Sequence, residues 1–229
     1  MAEGLSVVVM AFNEAASLVE VTTEIRVALE ALNRPWEILL VNDGSVDETG
    51  ELAETLAAEH SHIRCVHHAG NQGLGAVYRT GFSEARESYI TFLPADGQIP
   101  AVSIAPFLAR MDAGVDMVLG TIPERPVPLH VRMLSSCERL LYRLLFGGFP
   151  AFQGMLMFRR ELVERHVLTS TGRGWTVIME LILRTSRSGS PIGHAETGLD
   201  ERRSGVSKVT NMRTILSNLR QVFQLRVDL

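Results

Sequence analysis

Two hydrophobic periods alternate along the first 120 residues. Leu5 to Ala11 is an uncharged, valine-rich run of strand length, the pattern of a strand covered on both faces in a parallel sheet. Leu18, Val21, Ile25, Leu29 and Leu32 then recur at helical spacing, and Asn13 is placed to cap that helix. Pro35 breaks the chain before a second apolar strand, Trp36 to Val41. Asn42-Asp43-Gly44-Ser45 reads as a turn, and Ser45 with Glu48 has the spacing of a capping box. Leu52, Leu56 and Ala57 form the apolar face of the next helix, and Ile63 to His67 is a short third strand. Gly70-Asn71-Gln72-Gly73-Leu74-Gly75 opens a helix through Tyr78 to Arg86. Tyr89 to Leu93 is a fourth buried strand, closed by Pro94. A helix from Ala101 to Met111 and a strand from Asp116 to Leu119 complete the alternation. Such β-α alternation predicts an α/β fold, a Rossmann-like and mostly parallel sheet flanked by helices.

Beyond residue 120 the pattern is less regular. Pro123, Pro126 and Pro128 mark an irregular loop, followed by a helix from Val131 to Phe146 with Arg132, Arg139 and Arg143 among its polar positions. A bend leads to Phe152–Arg159, and Gly172-Arg173-Gly174-Trp175 is a loop before a helix from Thr176 to Arg187. Ile192 to Thr197 reads as a strand and Arg202 to Lys208 as a basic loop around Gly205. Met212, Ile215, Leu216, Leu219 and Phe223 mark a final amphipathic helix, with Arg213 and Arg220 beside them. The expected organisation is one domain over residues 1–229, with halves at 1–120 and 121–208 and a C-terminal amphipathic helix at 209–229.

Composition narrows the classes. The 229 residues are 46% hydrophobic and 21% charged, which suits one globular domain with a substantial core. A net charge of −4 gives no bulk electrostatic basis for nucleic-acid binding. Cys65 and Cys137 lack metal-ligand spacing. Met1 to Gly4 leads directly into the first strand without a secretory pattern, and no apolar run is long enough to span a bilayer.

The candidate chemistry gathers at strand ends. Asp96 and Gln98 lie just beyond the fourth strand, on the side where open α/β sheets bind ligands. A carboxylate and an amide oxygen on a tight glycine turn suit a hard cation such as Mg2+ or Mn2+; a polar turn that merely ends the strand reads equally well. Asp43 ends the second strand, where it can accept from a base N–H or a ribose, or bond its local backbone. The glycines at 70–75 have the wrong order and location for a dinucleotide fingerprint. Arg202, Arg203 and Lys208 with Ser204 and Ser207 suit a phosphate, or form a solvated basic loop. Glu180 on an apolar helix needs a partner, either in an active site or in an internal salt bridge. His67, His68, His130 and His194 show no metal spacing and read as structural or surface residues.

Several stretches taken in order carry a resemblance. They are Val7 to Glu14, Glu37 to Thr49, Gly70 to Gly81, Asp96-Gly97-Gln98, Gln153 to Arg160, Gly174-Trp175, and Arg202-x-x-Gly205-x-Ser207-Lys208. This set resembles family 2 glycosyltransferases of GT-A fold, and among them the polyprenyl-phosphate (dolichol-phosphate) hexosyltransferases. The resemblance implies that Ala11, Phe12, Glu14, Asp43 and Gly73 bind the donor nucleotide. It implies that Asp96 and Gln98 hold Mg2+ or Mn2+, and that Asp96, Arg202 and Lys208 serve catalysis. Arg132, Ser135 and Ser207 would meet the acceptor phosphate, and residues 202–208 would close over bound phosphates. The first half becomes the nucleotide-sugar half and the second the acceptor side.

The implied function is inverting transfer of a hexose from a GDP-mannose or UDP-glucose type donor to a polyprenyl or dolichyl phosphate. The implied place is the cytoplasmic face of a membrane, with the late basic helices on its surface and room for a membrane-embedded partner protein, and no nucleic acid. The same fold with a soluble or glycan acceptor, using Glu180 as base, is an alternative. So is a nucleotide-sugar-binding subunit with weakened catalysis. Pro94 motivates the latter, because the family's D-x-D motif has an aspartate there. Asn42 and Met10 are milder departures.

Overall fold

The computed structural model describes residues 2–122, 142–200 and 220–227. Seven strands among them form one sheet: β1 (Leu5–Ala11), β2 (Trp36–Asn42), β3 (Ile63–His67), β4 (Tyr89–Pro94), β5 (Met117–Thr121), β6 (Leu156–Arg159) and β7 (Ile192–Glu196). Their order is β3-β2-β1-β4-β6-β5-β7. β1 pairs in parallel with β2 and β4, β2 with β3, and β5 with β7. β6 runs antiparallel to both of its neighbours, β4 and β5. The parallel alternation expected of the first half therefore holds through β4, but β5 does not lie beside β4. β6 takes that central place, which its uncharged Leu156-Met157-Phe158 can fill because both sheet faces are covered there.

Strand side chains point alternately to two layers. On one face Val7, Val9, Ile38 and Leu40 pack against α1 (Leu18–Glu30), α2 (Thr49–Glu59) and α4 (Ile104–Asp112). On the other, Val8, Leu39, Val41 and Phe92 pack against α3 (Leu74–Glu84) and α6 (Thr176–Arg187), with Leu162 of the short α5 (Glu161–Arg165) alongside. Phe92 meets Tyr78 and Phe82 edge-on, with centroids 4.7 and 5.7 Å away. A Cβ on Gly81 would lie 2.4 Å from the Phe92 ring, so α3 approaches the sheet this closely only with glycine there. Helical residues 142–146 and 220–227 join Met179 and Leu183 of α6 in a smaller cluster through Phe146, Val222 and Leu225. The remaining parts of the two expected late helices, 131–141 and 209–219, lie outside the described residues.

The two expected helix caps do not form, for one shared reason. Asn13 sits at φ 54° with its Oδ1 accepting the N–H of Val46, and its own N–H donates to Ser45 Oγ. The loops after β1 and β2 thus use each other's polar groups, since the two strand ends are neighbours. α1 begins later, after Ser17, and α2 begins at Thr49, whose N–H and hydroxyl both bond Asp47.

At the opposite, amino edge, carboxylates close on cations. Glu37 accepts from Ser6 Oγ at 2.6 Å, from Arg64 at 3.0 and 3.1 Å, and from the Arg86 N–H at 2.7 Å. Glu3 accepts from the Tyr89 hydroxyl and from Arg159 at 2.6 Å, and Arg159 also reaches Asp116. The Tyr89 hydroxyl and then Arg159 hold the Glu3 carboxyl below its ordinary range against the opposing effect of burial. Burial and Glu3 push the Tyr89 phenol up to about 12.

Candidate active site

Register brings the candidate residues to one edge. Ala11 pairs with Asn42 and Met10 with Pro94, so the chain leaves β1, β2 and β4 side by side. The edge therefore carries Phe12 to Glu14, Asp43, and Asp96 to Gln98. Because β6 is reversed, the residues before its start, 153–155, reach the same edge, where Gln153 N–H donates to Gly120 O.

Asp96 is 4% exposed, and its Oδ1 accepts the Gln98 N–H at 3.1 Å. Gly97 between them has φ 73°, a conformation that favours glycine. The Gln98 carbonyl accepts the Asp200 N–H at 2.9 Å, which seats the segment after β7 on this turn. A buried carboxylate with an amide oxygen two residues on is a hard-oxygen donor set. It fits Mg2+ or Mn2+, which take few protein ligands and complete their shell from water and phosphate. Pro94 leaves the turn with one carboxylate.

Asp43 is 3% exposed and organises the glycine loop. Its Oδ1 accepts the Gln72 N–H at 2.9 Å and faces His68 Nδ1 at 2.7 Å. Its Oδ2 accepts the Gly73 N–H at 2.8 Å and Asn71 Nδ2 at 3.0 Å. His68 Nε2 in turn lies 2.8 Å from Thr80 Oγ1 on α3. Of the two uses open to Asp43, this structure displays the local one: its carboxylate points into the loop. His68, read from the sequence as structural or surface, is a structural link in this knot, with its side chain 7% exposed. Nothing in its spacing signalled that, because its partners lie at 43 and 80.

The second half reaches the same loop. Arg173 donates to Asn71 O at 3.0 Å and to Asn71 Oδ1 at 2.8 Å, and Gly75 N–H donates to Arg173 O. A Cβ on Gly73 (φ 89°) would lie 2.7 Å from Arg173 O, so the contact requires glycine. Residues 169–172 are pinned from behind. Glu180, fully buried, accepts from Thr169 N–H and Oγ1, Ser170 N–H and Arg184 at 2.8–3.1 Å. Arg79 caps the Ser170 and Gly172 carbonyls. The internal salt bridge is thus the Glu180 role that the structure displays, and the reading of Glu180 as a base is corrected: its oxygens are committed to these donors.

Among the other donor candidates, Glu14 is buried, with its N–H donating to Thr49 Oγ1 and its Oε2 3.5 Å from Ser17 Oγ. Phe12 is half-buried beside it. The Ala11 methyl group packs in the core, and its carbonyl accepts the Asp43 N–H. Arg132, Ser135, Arg202, Ser207 and Lys208 lie outside the described residues.

One cluster escaped sequence reasoning. Glu54, Cys65 and His67 place ligand-type atoms within 4.8 Å of one another. Residues 65 and 67 share one face of β3, and Glu54 comes from α2. Both of the others meet the imidazole: His67 Nε2 lies 2.7 Å from Glu54 Oε1 and 3.2 Å from Cys65 Sγ, while Nδ1 faces Asn42 Nδ2 at 2.9 Å. Burial, then Glu54, pushes the Cys65 thiol up to about 12.

The model of glycosyl transferase family 2 matches residues 6–167. The chain belongs to that family. Its relatives include the undecaprenyl-phosphate 4-deoxy-4-formamido-L-arabinose transferases of Salmonella choleraesuis (strain SC-B67) and Salmonella newport (strain SL254), each 32% identical over 215 residues. That alignment covers 92% of this chain, which spans 64% of the relatives' length. Glucosyl-3-phosphoglycerate synthase from Mycobacterium tuberculosis, solved with Mn2+, UDP and phosphoglyceric acid, superposes with a TM-score of 0.68 at 19% identity. That match covers 96% of this chain and 79% of the synthase. The mannosyltransferase PcManGT from Pyrobaculum calidifontis, solved with GDP-Man and Mn2+, gives 0.67 at 19% identity, over 100% and 65% of the two chains. These neighbours establish the GT-A fold for this family 2 member.

Proposed function

We propose that this chain is the transferase domain of an enzyme that moves a sugar from a nucleoside diphosphate sugar to a polyprenyl phosphate with inversion. The observation that carries the reading is the buried Asp96–Gly97–Gln98 turn at the carboxyl edge of the sheet. The names of the 32%-identical relatives support the lipid phosphate as acceptor. Residues 1–120 supply the nucleotide-sugar half. Phe12, Glu14 and the loop through Gly73, held in shape by Asp43, bind the nucleoside, and the Ala11 carbonyl fixes Asp43. Asp96 and Gln98 hold Mg2+ or Mn2+, which supplies charge neutralisation for the departing diphosphate. Residues 121–208 form the acceptor side, where Arg132, Ser135 and Ser207 bind the acceptor phosphate and Arg202 and Lys208 stabilise the phosphates during transfer.

A phosphate acceptor is anionic at neutral pH, so the reaction runs without a strong general base, in keeping with the committed carboxylate of Glu180. Direct displacement by that phosphate inverts the sugar carbon. Catalysis then rests on alignment and electrostatic stabilisation. Among the described residues no helix is long and apolar enough to cross a membrane. We place the chain peripherally at a cytoplasmic membrane face, alone or beside a membrane-embedded partner. Exposed Leu144, Phe223 and Val227 on the helical residues 142–146 and 220–227 support surface contact.

The test is a panel of nucleotide sugars with Mn2+ scored by thermal shift, then transfer to undecaprenyl phosphate in detergent. GDP-mannose, UDP-glucose and a UDP-linked 4-deoxy-4-formamido pentose belong in the panel. A ligand that binds only the native state raises the melting temperature. One donor is expected to do so and to yield a lipid-linked sugar. Transfer only to soluble phosphorylated acceptors would replace the lipid reading, and binding without any transfer would leave a binding subunit. In a separate assay the intact chain is expected to sediment with anionic vesicles at low salt and to be released by raised salt, each surface cation contributing about 1 kcal/mol. Retention in the supernatant at low salt would move the membrane contact to a partner protein.

A further inference from the structure

The metal-binding turn offers a single carboxylate, because Pro94 closes β4 where the resemblance places another aspartate. A small hard cation bound with substrate phosphates uses one or two protein carboxylates. The segment after β7 is fixed by three contacts, to the end of β5, to Ser103 and, at the last, to this turn. Thr197 N–H donates to Thr121 O at 2.9 Å, Gly198 N–H to Ser103 Oγ at 3.2 Å, and Asp200 N–H to Gln98 O at 2.9 Å. Gly198 is needed for the fit, since a Cβ there would lie 2.7 Å from the Pro100 ring. The segment is therefore registered on the turn, and it delivers Asp200 beside Gln98. Asp200 is exposed, and among the described residues no hydrogen bond or ion pair engages its carboxylate.

We propose that Asp200 supplies the second carboxylate of the divalent-cation site, replacing in space the acidic group that Pro94 removes from β4. The inference rests on the proposed metal role of Asp96 and Gln98 and extends it to a residue 104 positions later in the chain. It also gives the cation a role in placing the acceptor side, because only Glu201 separates Asp200 from the basic segment 202–208 in sequence.

The test reads Mn2+ binding by electron paramagnetic resonance on the full chain, with Mn2+ alone and with UDP or GDP, and requires no turnover. Asp96→Ala is the control for the site, and circular dichroism checks that each variant is folded. Asp200→Asn is expected to weaken Mn2+ binding by about tenfold or more. Pro94→Asp in the Asp200→Asn background is expected to restore most of that loss, because it returns a carboxylate to the turn from the other side. If Asp96→Ala loses Mn2+ while Asp200→Asn binds as the parent does, or more tightly, the role of Asp200 is overturned and the metal site at 96–98 stands. If Asp96→Ala binds Mn2+ as the parent does, the metal site itself fails and the Asp200 assignment fails with it.

Discussion

The amino and carboxyl edges of the sheet hold their acidic groups in different ways. At the amino edge Glu37 and Glu3 are closed by the guanidinium groups of Arg64 and Arg159, with hydroxyls and a backbone N–H filling the remaining positions. At the carboxyl edge Asp43 is held by two backbone N–H groups, an amide and an imidazole, and Asp96 by the N–H of Gln98. The first arrangement neutralises charge and locks strand ends. The second holds Asp43 through backbone and amide dipoles and an imidazole and ties Asp96 to its own turn, which fixes their geometry. A shared polar inventory thus ties strand ends together at one edge and shapes the candidate site at the other.

Substitutions at the two edges should separate these roles. The largest effect is expected for Asp96→Ala, with transfer falling roughly 10²- to 10³-fold and little change in melting temperature. Steady-state turnover and thermal denaturation on one preparation check both halves of that statement. Glu37→Ala should do the reverse. It leaves the Arg86 N–H and the Ser6 hydroxyl without their acceptor and Arg64 with Glu84 alone, so a loss of about 2 kcal/mol in denaturant unfolding is expected, with activity per folded molecule unchanged. A large loss of activity without destabilisation would contradict the division.

Asp43→Asn lies between the two. The new amide nitrogen would face donors where an oxygen accepted them, costing about 2 kcal/mol and loosening the 70–73 loop. The donor KM is expected to rise more than kcat falls, which initial-rate kinetics would show.

The smallest effects are expected in acid. Glu3 has its folded pKa held below 4.5, so its stabilising contribution is present above that value and fades as pH falls through the folded pKa. His166 carries a buried Nε2 without a hydrogen-bond partner among the described residues, and burial, Arg165 and Arg184 hold its pKa below 6.5. Protons bind the unfolded chain first as pH drops below 6.5, so stability declines there and levels off below the folded pKa. His166→Gln should flatten the upper part of a melting-temperature profile and Glu3→Gln the lower.

Much of this was legible in the chain, for physical reasons. Strands β1 to β4 announce themselves because burial on both faces demands unbroken apolar runs, and α1 because one face alone is buried. Asp96 and Gln98 stand out through strand, breaker and turn in sequence. The position of β6 was not legible: three apolar residues carry no signal for direction or neighbour. The caps failed because Asn13 and Ser45 found each other across 32 residues, a partnership that local spacing cannot express. The partners of His68 and Arg173 were not legible for the same reason, since both act through contacts between distant segments.

The reversed strand also bears on how the molecule is made. β4 is synthesised by residue 94, yet its partner β6 begins at residue 156. Until then the growing chain holds β3-β2-β1-β4 with the apolar edge of β4 unpaired, and such an edge is open to pairing with other chains. Because β6 must be inserted between β4 and β5 rather than added at the rim, the sheet closes late and from the inside. A nascent chain stalled between these points is expected to be the aggregation-prone species, and a chaperone that shields the edge of β4 would act in that interval.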